Sequence, residues 1–167
     1  NARLEMGRAL YRQKPIDADF VCGVPDSGLD AALGYSLESG IPYAPAFVKN
    51  RYMGRSFIEP SQKMRERTVN VKLNPLKAQI EGKRIVLVDD SIVRGTTSER
   101  MIKPLRQMGA KEVHLRISSP PFKFPCYFGT DIDSSENLIA NHMTVDEICK
   151  KIGADSLEYL DLKNLSE

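Results

Sequence analysis

Short apolar runs alternate along the chain with longer segments in which apolar residues recur at helical spacing. The clearest run is RIVLV at residues 84–88, whose apolar, partly β-branched composition is typical of a buried strand. A later segment places Met101, Ile102 and Leu105 on one helical face. The pattern predicts strands at residues 19–24, 43–49, 84–88, 112–118 and 156–160, and helices at residues 1–13, 29–38, 97–108 and 145–152.

The predicted helices carry start and stop signals. Thr96 with Glu99, and Thr144 with Glu147, have the three-residue spacing of a capping box, in which each side chain bonds the other residue's amide. Glycines follow three of the helices, where they favour termination. In the helix at residues 29–38, the spacing predicts that one apolar face packs on the core, formed by Leu29, Ala32, Leu33 and Leu37.

The alternation of strands and helices predicts an α/β fold with a mainly parallel, twisted sheet and helices on both faces, because parallel strands need crossover connections. A chain of 167 residues suits one domain, residues 1–167. One segment does not fit this alternation. Residues 49–77 hold eight Lys and Arg against two Glu and show no period, and a long irregular segment in a compact domain is usually functional or mobile.

Composition narrows the function classes. The 24 Lys and Arg against 22 Asp and Glu give a net charge of +2, too balanced to indicate a nucleic-acid partner. No apolar run approaches 18 residues, so we expect no membrane span. Three cysteines without a CxxC pair do not form a disulfide framework, which predicts a reducing, cytoplasmic location.

The end of the strand at residues 84–88 carries the strongest chemical signal. Asp89 and Asp90 follow it directly, and Gly95 leads into three hydroxyl residues at 96–98. Ligands of parallel sheets bind beyond the carboxyl ends of the strands, and the free amides of a helix N-terminus favour an anion. Paired carboxylates suit ribose hydroxyls or hydrated Mg²⁺. The string therefore predicts a sugar-phosphate site, whereas the alternative is a strand-end turn followed by an ordinary helix cap.

Longer strings identify a family. VLVDDSIVRGTTS at residues 86–98 resembles the phosphoribosyl pyrophosphate (PRPP) signature of type I phosphoribosyltransferases. Within that family, the chain resembles the amidophosphoribosyltransferase branch, through GVPDSG at 23–28, VKNRYMGRSFIEPSQ at 48–62 and ISSPPFKFPCYFGTD at 117–131. The likeness runs through nearly the whole chain. It implies the type I phosphoribosyltransferase fold with a flexible lid loop.

The resemblance implies a role for each matching residue. Asp89 and Asp90 would bind the ribose 2- and 3-hydroxyls and help to hold Mg²⁺. Ser27, in the turn that resembles the family's pyrophosphate loop, would contact Mg²⁺ or pyrophosphate, with Asp26 nearby. The 5-phosphate would lie against Ser91, Arg94, Gly95, Thr96, Thr97 and Ser98.

Residues 49–62 resemble the family's flexible loop, which closes over PRPP. Lys49 and Arg51 would balance the charge that develops on the departing pyrophosphate. Tyr52 and Asn50 would complete a lid that excludes water. The reaction implied is transfer of the 5-phosphoribosyl group to ammonia, which is the first step of purine synthesis. Because ammonia is already a nucleophile, positioning and electrostatics would supply most of the rate.

The resemblance also implies partners. In the full enzymes a glutaminase domain supplies the ammonia; we expect that domain and a C-terminal tail to be absent here, so that the chain alone does not hydrolyse glutamine. Cys126 resembles a ligand of the [4Fe–4S] cluster in one branch of the family, whereas Cys22 and Cys149 read as core residues. Purine nucleotides are expected inhibitors and a homo-oligomer is the expected assembly. The alternatives are transfer to a nucleobase and a non-catalytic PRPP-sensing regulator.

Overall fold

The computed structural model describes residues 2–49, 73–124, 136 and 138–165. The strands are β1 (Phe20–Gly23), β2 (Phe47–Lys49), β3 (Leu73–Pro75), β4 (Arg84–Asp89), β5 (Glu112–Ile117) and β6 (Ser156–Tyr159). The helices are α1 (Ala2–Gln13), α2 (Leu29–Ser39), α3 (Lys77–Ile80), α4 (Thr96–Gln107) and α5 (Val145–Ile152), with 3₁₀ turns at Ile139–Asn141 and Leu162–Leu165. Each strand and helix predicted from the apolar pattern is present, whereas strand β3 and the single-turn helix α3 were not predicted.

The predicted parallel sheet is confirmed. Four strands lie in the order β1-β4-β5-β6, and every neighbouring pair runs parallel. The predicted strand at residues 43–49 is shorter than expected. Tyr43 makes one isolated parallel bridge to Val21, and β2 begins only at Phe47, where it pairs antiparallel with β3 in a separate two-stranded sheet. Pro45 interrupts the run because it has no amide hydrogen to donate.

Helices cover both faces of the four-stranded sheet, as predicted. Alternate residues of β4 enter two different apolar clusters, because successive side chains of a strand point to opposite faces. Ile85 and Leu87 pack in a cluster that contains the buried residues of α4 and α5. Val86 and Val88 pack with residues of α1 and α2. The strand that ends in Asp89 is thus buried on both sides, which fixes the position of its last residues.

The predicted apolar face of α2 is wrong at Leu33 and Leu37, although Ala32 on that face is buried as predicted. Leu33 and Leu37 are 42% and 58% exposed, whereas Ala31, Ala32, Gly34 and Tyr35 are buried. The reason is the close approach of α1 and α2. A Cβ at Gly34 would lie 1.9 Å from the carbonyl oxygen of Leu4, so this face of α2 carries small residues where the two helices meet. Contact with a neighbouring helix, rather than the largest apolar side chains, sets the orientation of α2.

The capping box at the start of α5 is confirmed. Thr144 Oγ1 accepts a hydrogen bond from Glu147 N at 3.3 Å, and Glu147 Oε2 accepts one from Thr144 N at 2.7 Å. Helices begin with amides that have no partner within the helix, and the box satisfies two donors at once.

Replacing Thr144 with Ala is expected to lower the free energy of unfolding by about 1 kcal/mol, the usual effect of losing an N-cap hydroxyl. Thr144→Ser is the matched control, because it keeps the acceptor and should change the value by only a few tenths of a kcal/mol. Urea denaturation of the three proteins measures both effects. Equal midpoints for the Ala and Ser variants would show that the box does not stabilise α5.

Among the described helices, none combines the length and apolarity that a membrane crossing requires.

Cys22 is buried, as predicted, and burial raises the pKa of its thiol to about 11. Cys149 is partly buried against the α4–α5 cluster, and burial also raises its pKa. Both thiols therefore pack as small apolar groups.

Candidate active site

The carboxyl ends of β1 and β4 meet at one edge of the sheet. The two strands pair in register from Phe20 with Ile85 to Gly23 with Val88. The chain after β1 stays attached to β4, since Val24 N donates to Val88 O at 2.8 Å. The segments after the two strands, 25–28 and 90–95, therefore begin side by side. This is the edge at which parallel sheets bind ligands.

Asp89 is the buried acid of the site. It is 5% exposed, and its Oδ1 accepts hydrogen bonds from Asp90 N at 2.8 Å and from Ser27 Oγ at 3.3 Å. Burial raises the pKa of the carboxyl to about 7, and the neighbouring charge of Asp90 acts in the same direction. Among the described residues, no cation forms an ion pair with this carboxyl, and none is among the leading causes of the pKa shift. The carboxylate is thus held in place by hydrogen bonds but lacks a positive partner.

Asp90 differs from its neighbour because it is exposed. Its Oδ1 accepts a hydrogen bond from Ser91 Oγ at 3.2 Å. The pair therefore consists of one buried and one solvent-facing carboxylate at the same strand end.

The turn at residues 25–28 packs directly on the end of β4. Gly28 N donates to Val24 O at 2.8 Å, which closes the turn, and the Pro25–Asp26 peptide bond is cis. A Cβ on Gly28 would lie 2.2 Å from Val88 O and 3.1 Å from Asp89 Cα. Only a residue without a side chain allows this approach. It brings Ser27 within hydrogen-bond distance of Asp89.

The predicted capping box at Thr96 and Glu99 is wrong, because α4 begins one residue earlier than expected. Gly95 is the N-cap, with φ +78° and no side-chain cap, and its carbonyl accepts the first helical bond from Glu99 N at 3.0 Å. The positive φ of Gly95 is a conformation that other residues rarely adopt. Thr96 is therefore the first helical residue. Its amide and the next two have no acceptor within the helix, and such amides attract an anion.

The structure brings the other predicted phosphate-binding residues to this helix start. Arg94, Thr96 and Thr97 are exposed, and Ser91 is half-buried. Ser98 is 3% exposed, so little of its hydroxyl is accessible to a ligand. Pro25, Thr96 and Thr97 line one part of a groove of about 820 Å³, which the described residues form between α4, Phe47 and Pro75. The volume is in the range of small-molecule sites.

Other predicted site residues lie outside the described part of the chain. Lys49 is the last residue of β2, but nothing is described of its side chain. The described part of the chain does not include the predicted lid residues, Asn50, Arg51 and Tyr52, or the proposed cluster ligand, Cys126.

Ser118 is a residue of this edge that was not predicted. It follows β5, and both its amide, at 2.9 Å, and its hydroxyl, at 3.3 Å, donate to Asp89 O. The available signal for a place at this edge was that Ser118 directly follows a strand next to β4.

The site residues fit a magnesium ion by their chemistry. Mg²⁺ binds oxygen ligands, commonly one or two carboxylates together with waters and substrate phosphates. Asp89 and Asp90 supply the carboxylates and Ser27 a hydroxyl, and the buried charge of Asp89 lacks a cation. Within the described ranges, no group of three or more His, Cys, Asp or Glu residues forms a metal cage. The arrangement therefore suits an ion that arrives with a substrate.

Comparison with known proteins gives one family. The family described as "Phosphoribosyl transferase domain" matches residues 6–118. The chain is 55% identical over 163 residues to the amidophosphoribosyltransferase of Synechocystis sp., covering 98% of this chain and 33% of that protein. It thus spans about a third of the length of the curated relatives that it matches.

Two solved structures give the same result. One is described as the allosteric regulatory enzyme of purine biosynthesis; it is 51% identical, with a TM-score of 0.87, and the match covers 98% of this chain and 35% of that one. The other is the glutamine PRPP amidotransferase of B. subtilis complexed with ADP and GMP, also 51% identical with a TM-score of 0.87, covering 98% of this chain and 36% of that one. The fold predicted from the sequence is thus confirmed.

Proposed function

This chain belongs to the phosphoribosyl transferase domain family, and we propose that its crevice transfers the 5-phosphoribosyl group of PRPP to ammonia. The observation that carries the proposal is the pairing of two acids at the end of β4 with a helix N-terminus immediately beyond them. The names of the relatives, amidophosphoribosyltransferase and glutamine PRPP amidotransferase, support ammonia as the acceptor. The product is 5-phosphoribosylamine, in the first step of purine biosynthesis.

We place PRPP with its 5-phosphate at the start of α4. The amides at residues 96–98, the hydroxyls of Thr96 and Thr97 and the guanidinium of Arg94 would bind it, with Ser91 and Gly95 at its edge. The ribose 2- and 3-hydroxyls would donate to the carboxylates of Asp89 and Asp90. The pyrophosphate would lie against the turn at residues 25–28, near Asp26 and Ser27. This arrangement is favoured by the side-by-side position of the two turns.

Mg²⁺, held by Asp89, Asp90 and Ser27 with the substrate, would neutralise charge on the pyrophosphate. In the reaction the bond between ribose C1 and the pyrophosphate oxygen breaks, and the electron pair leaves with pyrophosphate. The nitrogen of ammonia forms a new bond to C1 on the opposite face and then loses a proton. The acids at the end of β4 hold the ribose for this attack, and ordering of the reactants is itself a large part of catalysis.

The segment after β2 supplies the remaining groups in this proposal. Lys49 and Arg51 would stabilise the charge on departing pyrophosphate. Asn50 and Tyr52 would cover the substrate and exclude water, which would otherwise compete with ammonia as the nucleophile.

The proposal includes partners. Ammonia would come from a glutaminase domain, in a cytoplasmic homo-oligomer without nucleic acid or membrane partners. Purine nucleotides are proposed inhibitors, because the B. subtilis relative was solved with ADP and GMP.

An iron–sulfur cluster fits this chain poorly by itself. Such clusters are held by four thiolates, and this chain has three cysteines. Burial raises the pKa of Cys22 and Cys149, which opposes the thiolate form that a cluster needs. Cys126 would therefore be one ligand beside cysteines from elsewhere.

Pyrophosphate release tests the proposed function. The protein is incubated with PRPP, Mg²⁺ and ammonium, and in parallel with adenine, guanine, hypoxanthine or orotate in place of ammonium. Ammonium-dependent release is expected. Release with a nucleobase alone would show that the acceptor is a base. PRPP binding without release under any condition would favour a PRPP-sensing regulator.

A further inference from the structure

The loop between β4 and α4 rests on a much later part of the chain. Ile139, in the 3₁₀ turn before α5, donates its amide hydrogen to Val93 O at 2.9 Å. Ile92, one residue before Val93, is 2% exposed and belongs to the same apolar cluster as Ile139. The loop is thus attached to this turn through its backbone, and Ile92 anchors it in the apolar cluster that Ile139 also joins.

A second contact lies where α4 begins. A Cβ built on Gly95 would be 2.9 Å from Ile139 Cδ1 and 3.7 Å from Ile152 Cγ2, and apart from its chain neighbours no other described residue comes within 4 Å. Ile139 is 6% exposed, so its side chain is packed rather than free to swing away. Ile139 therefore supports the backbone at the N-cap of α4.

Ile139 is itself held in place. Its carbonyl accepts hydrogen bonds from His142 N and Met143 N, each at 3.1 Å. The capping box at Thr144 follows directly and fixes the start of α5. The support under Gly95 is therefore continuous with a regular helix.

We infer that Ile139 is a positioning residue for the substrate's 5-phosphate, acting through Val93 and Gly95 without touching the ligand. The inference rests on the proposed function. The amides at residues 96–98 bind a phosphate only if they converge on one point, and a displacement of about 1 Å is enough to weaken such an arrangement. Ile139 sets that point by fixing Gly95. The turn at residues 25–28, proposed to hold the pyrophosphate, packs on β4 instead. We therefore expect pyrophosphate binding there to be unaffected by changes at Ile139.

Calorimetry with two probes tests this role. The probes are PRPP with Mg²⁺, which would use both ends of the crevice, and pyrophosphate with Mg²⁺, which would use only the turn at residues 25–28. Ile139→Ala is expected to raise the Kd of PRPP about tenfold and to leave the Kd of pyrophosphate unchanged. Ile139→Val removes only Cδ1, the atom nearest to the Cβ position of Gly95, and should raise the Kd of PRPP by a smaller factor, about threefold.

Ile148→Ala is the matched control. Ile148 is 1% exposed in the same cluster, but it does not come within 4 Å of the Cβ position of Gly95. The Ile148→Ala variant should lose about as much thermal stability as Ile139→Ala, but its Kd for PRPP should be unchanged. If Ile139→Ala is too unstable to assay, Ile139→Val against Ile148→Val gives the same comparison.

Two results would overturn the inference. One is wild-type PRPP affinity in the Ile139 variants. The other is a parallel loss of PRPP and pyrophosphate affinity, which would indicate general disorder of the site. A wild-type chain that binds no PRPP would instead overturn the proposed function, so the two failures are distinguishable.

Discussion

Asp89→Asn is expected to lower the rate of phosphoribosyl transfer by about 100-fold or more, the scale associated with losing a key electrostatic group. Asn keeps the shape of the side chain and an oxygen that can accept from Asp90 N and Ser27 Oγ. It removes the negative charge that would hold Mg²⁺ and bind a ribose hydroxyl. Pyrophosphate release from PRPP measures the rate.

The same substitution should not destabilise the chain. Asp89 is a buried carboxylate without a cation among the described residues, and an unpaired buried charge is unfavourable. The melting temperature of Asp89→Asn should therefore equal or exceed that of the wild type. Asp146→Asn, an exposed acid in the first turn of α5, is the control and should retain wild-type activity. Wild-type activity in Asp89→Asn would refute the role given to this residue.

Gly28→Ala is expected to lower the free energy of unfolding by about 2–3 kcal/mol, the usual effect of overpacking a rigid site, and to abolish PRPP binding. The added Cβ would lie 2.2 Å from Val88 O, a backbone atom of a strand buried on both faces. The turn must therefore move away from β4. Ser27 would move with it and lose its hydrogen bond to Asp89.

The conformation of Gly28 isolates this steric effect. Its φ of −87° and ψ of −5° suit alanine, so backbone strain does not contribute. Gly40→Ala is the control, because Gly40 has φ +72° but, outside its own helix and chain neighbours, no described atom within 4 Å of its Cβ position. Gly40→Ala should lower the free energy of unfolding by about 1 kcal/mol because of backbone strain, and it should keep PRPP binding. Chemical denaturation and calorimetry measure both properties, and equal behaviour of the two variants would contradict the packing described for the turn.

The strands and the sheet type were predictable because buried parallel strands leave a strong local signal. RIVLV is apolar on both faces, as a strand covered on both sides must be, and the intervening helices require parallel connections. The acids at its end marked the ligand-binding edge for the same reason. The strand order and the pairing of β2 with β3 arise from long-range contacts that a local pattern does not contain.

The errors arise from backbone contacts between distant segments. Leu33 and Leu37 were expected to be buried because they are large and apolar, but the meeting of α1 and α2 selects small residues instead. The N-cap of α4 was placed at Thr96 because the capping-box spacing is present, whereas Gly95 is the N-cap through a positive φ that the spacing does not reveal. Ser118 and Ile139 are attached to the site by bonds from their amides to the carbonyls of Asp89 and Val93. The type of a residue does not reveal such main-chain bonds.

A crystal structure of the chain with PRPP and Mg²⁺ tests the central claim most directly. The account predicts the 5-phosphate at the amides of residues 96–98, the ribose hydroxyls on Asp89 and Asp90, and the pyrophosphate at the turn of residues 25–28. PRPP bound elsewhere, for example along α4 in the groove beside Phe47 and Pro75 with Asp89 and Asp90 unliganded, would contradict it.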